Sequence, residues 1–316
     1  MMRSTLFFSL LLSGLGADAY PFYPETADSY TKTFPGDITS YWACSYITGS
    51  DSHQYMLLGH TMWIAGIPMA RASLLDLTDT SYYKMYLYSL QPDEATAISS
   101  DNVSLMNSYS NHGDLIYNLT YDATSQVPYN GGLGEFALGG AHCGEWAIPA
   151  ARTEGTLEVR GKTVKIIPSK SFTWYDRQWG TGFELYRNYT WFQIHVPGTD
   201  FKASIWALDY EDYSSRIATI RSADGTYSVI PFEFSPSPSN QYHSPATGNT
   251  YPTAWTLTFP GRGKIVAKSI RKDQETYNTS SLAPAAYEAF STFDVDLDGV
   301  EGKGYGLTEI VFNIAA

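Results

Sequence analysis

The sequence predicts an all-β protein, a sandwich or barrel of many short strands, and three observations lead there. Apolar and polar residues alternate with a period of two in several stretches, the mark of half-buried strands. Helical period is almost absent. The 26 glycines and 16 prolines fall between the alternating runs, where they punctuate short elements.

Taken in order, Tyr82 to Leu90 reads Tyr-Tyr-Lys-Met-Tyr-Leu-Tyr-Ser-Leu, aromatic and β-prone. Leu157-Glu158-Val159 alternates, turns at Arg160-Gly161-Lys162 and resumes through Val164 and Ile166, which predicts a hairpin. Phe201 to Leu208 and Tyr227 to Phe234 are further strands. Trp255, Leu257 and Phe259 alternate up to the turn Pro260 to Gly263, and Lys264 to Ile270 returns from it. Ala283 to Phe290 is the one stretch with room for a short helical turn, after Pro284. Asp294-Val295-Asp296-Leu297-Asp298-Gly299 matches the first half of a calcium loop, but the twelfth loop position is Tyr305 rather than Glu. A β-hairpin turning at Asp298-Gly299 accounts better for it. Leu307 to Ile314 closes the set. Ser235 to Asn240, with Pro236 and Pro238, reads as a surface connection. Tyr129 to Gly140 carries five glycines and is expected to be a mobile loop over an opening. No repeat of 20 to 50 residues argues for a solenoid or propeller.

Residues 1–19 form an export pattern: Arg3, the apolar run Leu6 to Leu15, then the small residues of Ala17-Asp18-Ala19. The run is too short to span a bilayer, so a signal peptide and a secreted or secretory-pathway location are expected. No later stretch reaches the ~18 apolar residues of a membrane span. With 32 acidic against 20 basic residues, nucleic acid is not an expected partner. An oxidising compartment predicts a disulfide between the two cysteines, Cys44 and Cys143. The same compartment makes the sequons at Asn102, Asn118, Asn188 and Asn278 exposed glycosylation positions.

Common catalytic signatures are missing from the sequence. The six histidines show no helical ligand spacing, so no metal site and no metal or other cofactor is expected. Gly131-Gly132-Leu133-Gly134 lacks the later glycine and the helix of a dinucleotide fingerprint. No Gly-x-Ser-x-Gly elbow or phosphate loop occurs. What stands out is Trp174-Tyr175-Asp176-Arg177-Gln178-Trp179-Gly180, with three large aromatics, an acid, a base and an amide in seven residues. On a strand, Trp174, Asp176 and Gln178 face one side and Tyr175, Arg177 and Trp179 the other. One account gives that face catalytic work; the other makes it ordinary core with paired charges.

That segment resembles the hallmark of the carotenoid hydratase-like (AttH, lipocalin-like) superfamily, in particular its fungal branch with an isoflavonoid hydratase and the lipocalin-like Diels–Alderases. The likeness runs along nearly the whole chain beyond the leader. Ser40 to Gly49 with Tyr55 to His60 is similar to the family's first strand pair, and Ala72 to Asp76 to the next block. Glu145 to Pro149 and Thr153 to Leu157 lead into the hallmark; Tyr251 to Trp255, Asp273 to Glu275 and Gly302 to Glu309 follow it. Two departures point away from carotenoid hydration: Arg177 stands where many members have His, and Gly144 precedes Glu145-Trp146 where carotenoid-type members carry a nearby His.

The resemblance implies two lipocalin-like halves, an N-terminal β-sandwich over residues 20–182 and a C-terminal β-barrel over 183–316, with the substrate pocket near their junction. It implies an enzyme acting without a cofactor on a small apolar terpenoid, polyketide or phenolic molecule. Asp176 is the expected acid, kept protonated by burial among indoles, with Arg177 or Gln178 as polar anchor. Trp42, Trp174 and Trp179 are expected pocket walls, joined by Tyr41, Trp146, Tyr251 and Glu309 from their places in the matching blocks. The leading expectation is dehydration to a quinone methide followed by hetero-Diels–Alder cycloaddition, where alignment is the main catalytic term. Hydration of a phenolic or terpenoid alkene and non-catalytic carriage of an apolar ligand are the alternatives.

Overall fold

A computed structural model describes residues 38–312, apart from 65–66, 90–95, 101–104, 113–114, 123–124, 126–127, 139–140, 181–187, 211–213, 223, 225 and 279–283. The leader, Asn102 and the expected boundary at 182/183 lie outside the described residues.

The first sheet is built from β1 (Ile38–Thr48), β2 (Gln54–Ile64), β3 (Ile67–Asp76), β4 (Tyr83–Ser89), β5 (Thr96–Ser100) and β6 (Leu105–His112). It continues with β7 (Leu115–Asp122), β8 (Glu135–Leu138), β9 (Ala141–Val159), β10 (Lys162–Lys165) and β11 (Phe172–Gly180). The second sheet takes β12 (Tyr189–His195), β13 (Lys202–Asp209), β14 (Ser214–Arg221), β15 (Tyr227–Ile230) and β16 (Glu233–Pro236). After a small β17 (Gln241–His243) and β18 (Thr250–Pro252) pair come β19 (Ala254–Phe259), β20 (Gly263–Ser269), β21 (Glu275–Thr276), β22 (Ala286–Leu297) and β23 (Val300–Val311). The fold is all-β, as the sequence predicts. Each sheet curls into a half-barrel.

The two sheets share one plan. The first runs β4-β3-β2-β1-β11-β9-β7-β6-β5 and the second β15-β14-β13-β12-β23-β22-β20-β19-β16. In each, the opening strand pairs with the closing one, β1 with β11 and β12 with β23. Each half-barrel has its own apolar interior, one around Tyr41, Tyr117, Trp146 and Tyr175, the other around Phe192, Trp255, Leu257 and Phe293. A third core, with Trp42, Trp174, Trp191, Trp206 and Leu307, draws on both sheets and fills the space between them.

Turn chemistry fixes the hairpins. Asp298 and Gly299 both take positive φ, 53° and 80°, the two-residue turn that Asp-Gly favours, and it joins β22 to β23 in register Leu297↔Val300. The Asp298 carboxylate is paired with the Arg262 guanidinium at 2.7 Å, so the stretch is a hairpin tip. Arg160-Gly161 turns β9 into β10 in the same way.

Some expectations are corrected. Ala286 to Phe290 is the start of a strand, not a helical turn, because its side chains pair across β23 and are buried on both faces. Tyr227 to Phe234 is broken at Pro231, which cannot donate to a ladder, into β15 and β16. The described part of Tyr129 to Gly140 is a docked segment: Gly131 N–H donates to the Thr219 hydroxyl at 3.0 Å and the Tyr227 hydroxyl to Tyr129 C=O at 2.6 Å. The expected Cys44–Cys143 disulfide is absent, and both are buried free thiols. Cys44 pairs with Trp174 on one side of β11 and Cys143 with Gly180 on the other. Six residues of strand separate those partners, roughly 20 Å, whereas a disulfide needs Cα atoms within ~7 Å. Two thiols are therefore expected to react after unfolding in denaturant without reductant; a bridged protein would show none.

Candidate active site at the junction of the two sheets

Pairing across five strands places Arg71 (β3), His60 (β2), Trp42 (β1), Asp176 (β11) and Ala147 (β9) in one transverse row. Direct cross-strand partners share a face, and this face looks into the junction. The second sheet presents a matching row, with Trp206, Trp191, Glu309 and Glu288 as successive partners on β13, β12, β23 and β22. The Trp42 and Trp191 rings meet edge to face, centroids 5.1 Å apart.

Two groups of buried carboxyls lie here. Asp176 and Glu145 form the first, on the strongly buried junction face of β11 and β9. The Trp174 indole N–H donates to Asp176 Oδ1 at 2.8 Å, and the Gln178 amide donates to Glu145 Oε2 at 2.9 Å. Asn130, from the docked segment, donates to the other Glu145 oxygen. Among the described residues no ion pair is made by either carboxyl. Burial raises Asp176 well above the carboxylate range; the Trp174 N–H opposes this and nearby Glu309 adds to it. Glu145 is raised by burial and then by Asp176 itself. Two carboxyls that cannot both ionise in a dry site hold their protons to higher pH.

Glu288 and Glu309 form the second group, clamped by Arg71 at 2.9 Å and 2.5 Å. The Tyr189 hydroxyl donates to Glu309 at 3.2 Å and the Trp42 indole, at 3.5 Å, to Glu288. Burial pushes Glu288 up to about 7, against the pull of Arg71, and Glu309 raises it further. The two carboxylates outweigh the desolvation of Arg71 and keep it charged. Beside it, His60 is held neutral by burial and by the Arg71 charge. Its Nε2 pairs with the Ser40 hydroxyl at 2.8 Å, while Nδ1 has no hydrogen-bond partner among the described residues.

A small open cleft of about 20 Å³ reaches this row, lined by His60, Met62, Met69, Arg71, Leu87 and Pro284. At the other end of the junction a cleft of about 130 Å³ is walled by Tyr46, Tyr55, Phe172, Phe290 and Tyr305, with Lys170 at its edge. Among the described residues no three His, Cys, Asp or Glu side chains are grouped to hold a metal ion, and no helix is long and apolar enough to cross a membrane.

The junction brings together Trp42, Trp174, Asp176, Gln178 and Glu309 of the expected residues. Arg177 lies on the opposite face, fully buried in the N-terminal half-barrel. Its guanidinium stacks 4.3 Å over the Tyr41 ring and donates to Ser40 C=O at 3.2 Å and to Gln178 C=O. Tyr41, Trp146 and Trp179 share that interior. Tyr251 lies inside the other half-barrel, its hydroxyl donating to Glu275 at 2.6 Å. Sequence reading missed Arg71, His60, Glu145 and Glu288 as site residues. Their signal was a lone charge within an otherwise apolar strand, as in Met69-Ala70-Arg71-Ala72 and Tyr287-Glu288-Ala289.

Residues 77–307 match the AttH-like family. The chain belongs to that family. It is 35% identical to kievitone hydratase of Fusarium solani subsp. phaseoli, over 93% of this chain and 87% of that protein. It is 33% identical to the dehydratase asqC of Emericella nidulans, over 93% of this chain and 94% of the relative. The crystal structure of kievitone hydratase from Nectria haematococca is similar with a TM-score of 0.82 at 35% identity, covering 93% of this chain and 92% of that one. CghA, solved with Sch210972, shares the fold alone: TM-score 0.55, 11% identity, 88% and 89% coverage. A hydratase and a dehydratase are both lyases, and this AttH-like chain is an enzyme of that type.

The raised carboxyls have a consequence for stability. A carboxyl with a raised folded pKa adds stability below its ordinary value and loses it as pH climbs through the folded one. For Glu288 the window runs from 4.5 to about 7, and Asp176 and Glu145 act with the same sign. Unfolding free energy is expected to decline between pH 4.5 and about pH 7, and the decline to be shallower in Glu288→Gln. Urea midpoints measured across that range test this; an unchanged slope in the variant would remove Glu288 from the effect.

Proposed function

We propose that the protein adds water to, or removes it from, an apolar phenolic or terpenoid molecule held at the junction, with the Asp176–Glu145 pair as proton donor. One observation carries this reading: two carboxyls are buried together without a cation, each steadied by a neutral N–H donor. A protonated acid in an aromatic setting can protonate a poor leaving group that water alone would not.

In the eliminating direction the Asp176 proton passes to a substrate hydroxyl. The C–O bond breaks with its electron pair on oxygen, and water departs. A proton then lost from the substrate restores the protonated pair. Hydration is the same sequence reversed. The relatives named hydratase and dehydratase put water transfer ahead of the cycloaddition that the sequence reading placed first. Cycloaddition stays within the proposal as a later step: loss of water from a hydroxylated phenol yields a quinone methide, which the indole walls would align with an alkene. Passive carriage is set aside for a lyase-type enzyme.

Product mass decides between these steps after incubation with a hydroxylated phenol and a terpenoid alkene. Loss or gain of one water supports the reading, an adduct adds the later step, and unchanged masses sink it. Asp176→Asn keeps an acceptor for the Trp174 N–H and is expected to lower kcat by ~10²-fold or more with ligand binding kept. Full activity in that variant would exclude Asp176 as donor.

Export is part of the proposal. Asn118 and Asn188 are exposed, so both are expected to carry glycans when the chain is made with its leader in a fungal host. Peptide mapping before and after deglycosylation reads this directly; bare asparagines at both positions would count against the secretory route.

A further inference from the structure

Asn130 reaches the acid pair from outside the two strands that carry it, and the reaction as described gives it no task. The segment that bears Asn130 runs alongside β9: Ala147 N–H donates to Pro128 C=O at 3.1 Å and Glu145 N–H to Gly134 C=O at 2.8 Å. The same segment is fastened to the second sheet through Thr219 on β14 and Tyr227 on β15. Between those holds the chain bends sharply, with φ of 68° at Gly131, 87° at Gly132 and 77° at Gly134, which glycine accepts without strain. A Cβ on Gly132 would also stand 3.1 Å from the Val229 side chain. The bend leaves Asn130 only 1% exposed, with its amide against Glu145.

Each oxygen of Glu145 thus meets an amide N–H, Oε1 that of Asn130 and Oε2 that of Gln178 at 2.9 Å. Donors aimed at a carboxyl favour its charged form, because a protonated oxygen would turn its own hydrogen toward an N–H. Asn130 serves this at a cost to itself, since its buried Oδ1 takes no hydrogen bond among the described residues. Turned over, the amide would set Oδ1 against a carboxylate oxygen and bury its N–H groups unpaired. Against the two amides stand burial and the charges of Asp176 on β11 and Glu309 on β23. The charged neighbours on β8 and β9, Glu135 and His142, pair with each other at 3.2 Å. From the segment and β15 come the phenols Tyr129 and Tyr227, joined through the Tyr129 backbone. The balance at Glu145 is therefore between dry, anionic surroundings that hold a proton and two neutral donors that release it.

We propose that Asn130 is a positioning residue of the acid pair: by donating to Glu145 from the docked segment, it limits how tightly the pair holds its proton and keeps Asp176 a strong enough acid to protonate a substrate. This rests on the pair being the proton donor. It ties the strength of that acid to the seating of residues 128–134 against both sheets.

Side-chain carboxyl ¹³C resonances, followed with pH in the full chain and without substrate, read this directly. In Asn130→Ala the Glu145 midpoint is expected to rise by about one pH unit, a tenfold gain in proton affinity. The alkaline limb of kcat is expected to move up with it and the plateau to fall, since a weaker acid transfers its proton less readily, while KM stays unchanged. A merely structural side chain would lower activity alike at every pH and leave the midpoint where it was. Asn130→Gln, which carries the amide on a longer arm, is expected to return the midpoint part of the way. Circular dichroism checks that the variants fold. Should Asn130→Ala fail to fold, the wild type supplies the test: its Asn130 side-chain N–H resonances are expected to move with the same midpoint as the Glu145 carboxyl. A midpoint unmoved or lowered in Asn130→Ala, or Asn130 N–H resonances blind to that titration, overturns the proposal. If the midpoint rises as expected but no substrate changes mass, the proposed reaction falls and the hold of Asn130 on Glu145 stands.

Discussion

The bridge from Arg71 to Glu288 and Glu309 is the constraint around which the junction is organised. It ties β3 of one sheet to β22 and β23 of the other inside an aromatic core. Desolvating three ionisable groups is expensive, and the attraction between them offsets that cost only while all the partners stay in place. Loss of the arginine alone would leave two carboxyls facing each other in a dry space, a change of ~3–5 kcal/mol in comparable buried pairs. The geometry of the row follows from it. With Arg71 fixed, His60, Trp42 and Asp176 stand at strand-spacing intervals along the same line, and Trp42 and Trp191 pack where the two rows cross.

The same dry environment separates the carboxyls into two kinds. Glu288, which reaches Arg71, is raised to about 7 by burial; Asp176 and Glu145, which meet only an indole N–H or amides, are raised well above the carboxylate range. A neutral acid and a fixed ion pair thus coexist within one core because each carboxyl's nearest donor differs in charge.

Much of this was legible in the chain. Period two around Trp174 to Gly180 divided Asp176 and Gln178 from Arg177 and Trp179, and the two faces do open into different compartments. Asp298-Gly299 announced its hairpin through the positive φ that few residue pairs accept. Other features depend on register, which no local pattern encodes. Nothing near Arg71 reveals that Glu288, more than two hundred residues on, will face it, and Cys44 and Cys143 look like natural partners until β11 is placed between them. Tyr251 shows the limit of reading roles from block position: its neighbours in sequence match, yet its hydroxyl serves Glu275 within the far half-barrel.

The shared strand order of the two sheets reaches beyond architecture. It brings Trp42–Asp176 and Trp191–Glu309 into corresponding places on β1–β11 and β12–β23. Yet one flank carries Arg71 where the other has Ile217, and Ala147 stands opposite the place of Glu288. Like frames therefore bear unlike chemistry, and an elongated guest finds its head and tail inequivalent. For a substrate held at the junction as proposed, that mismatch would make the two directions of insertion unequal in energy.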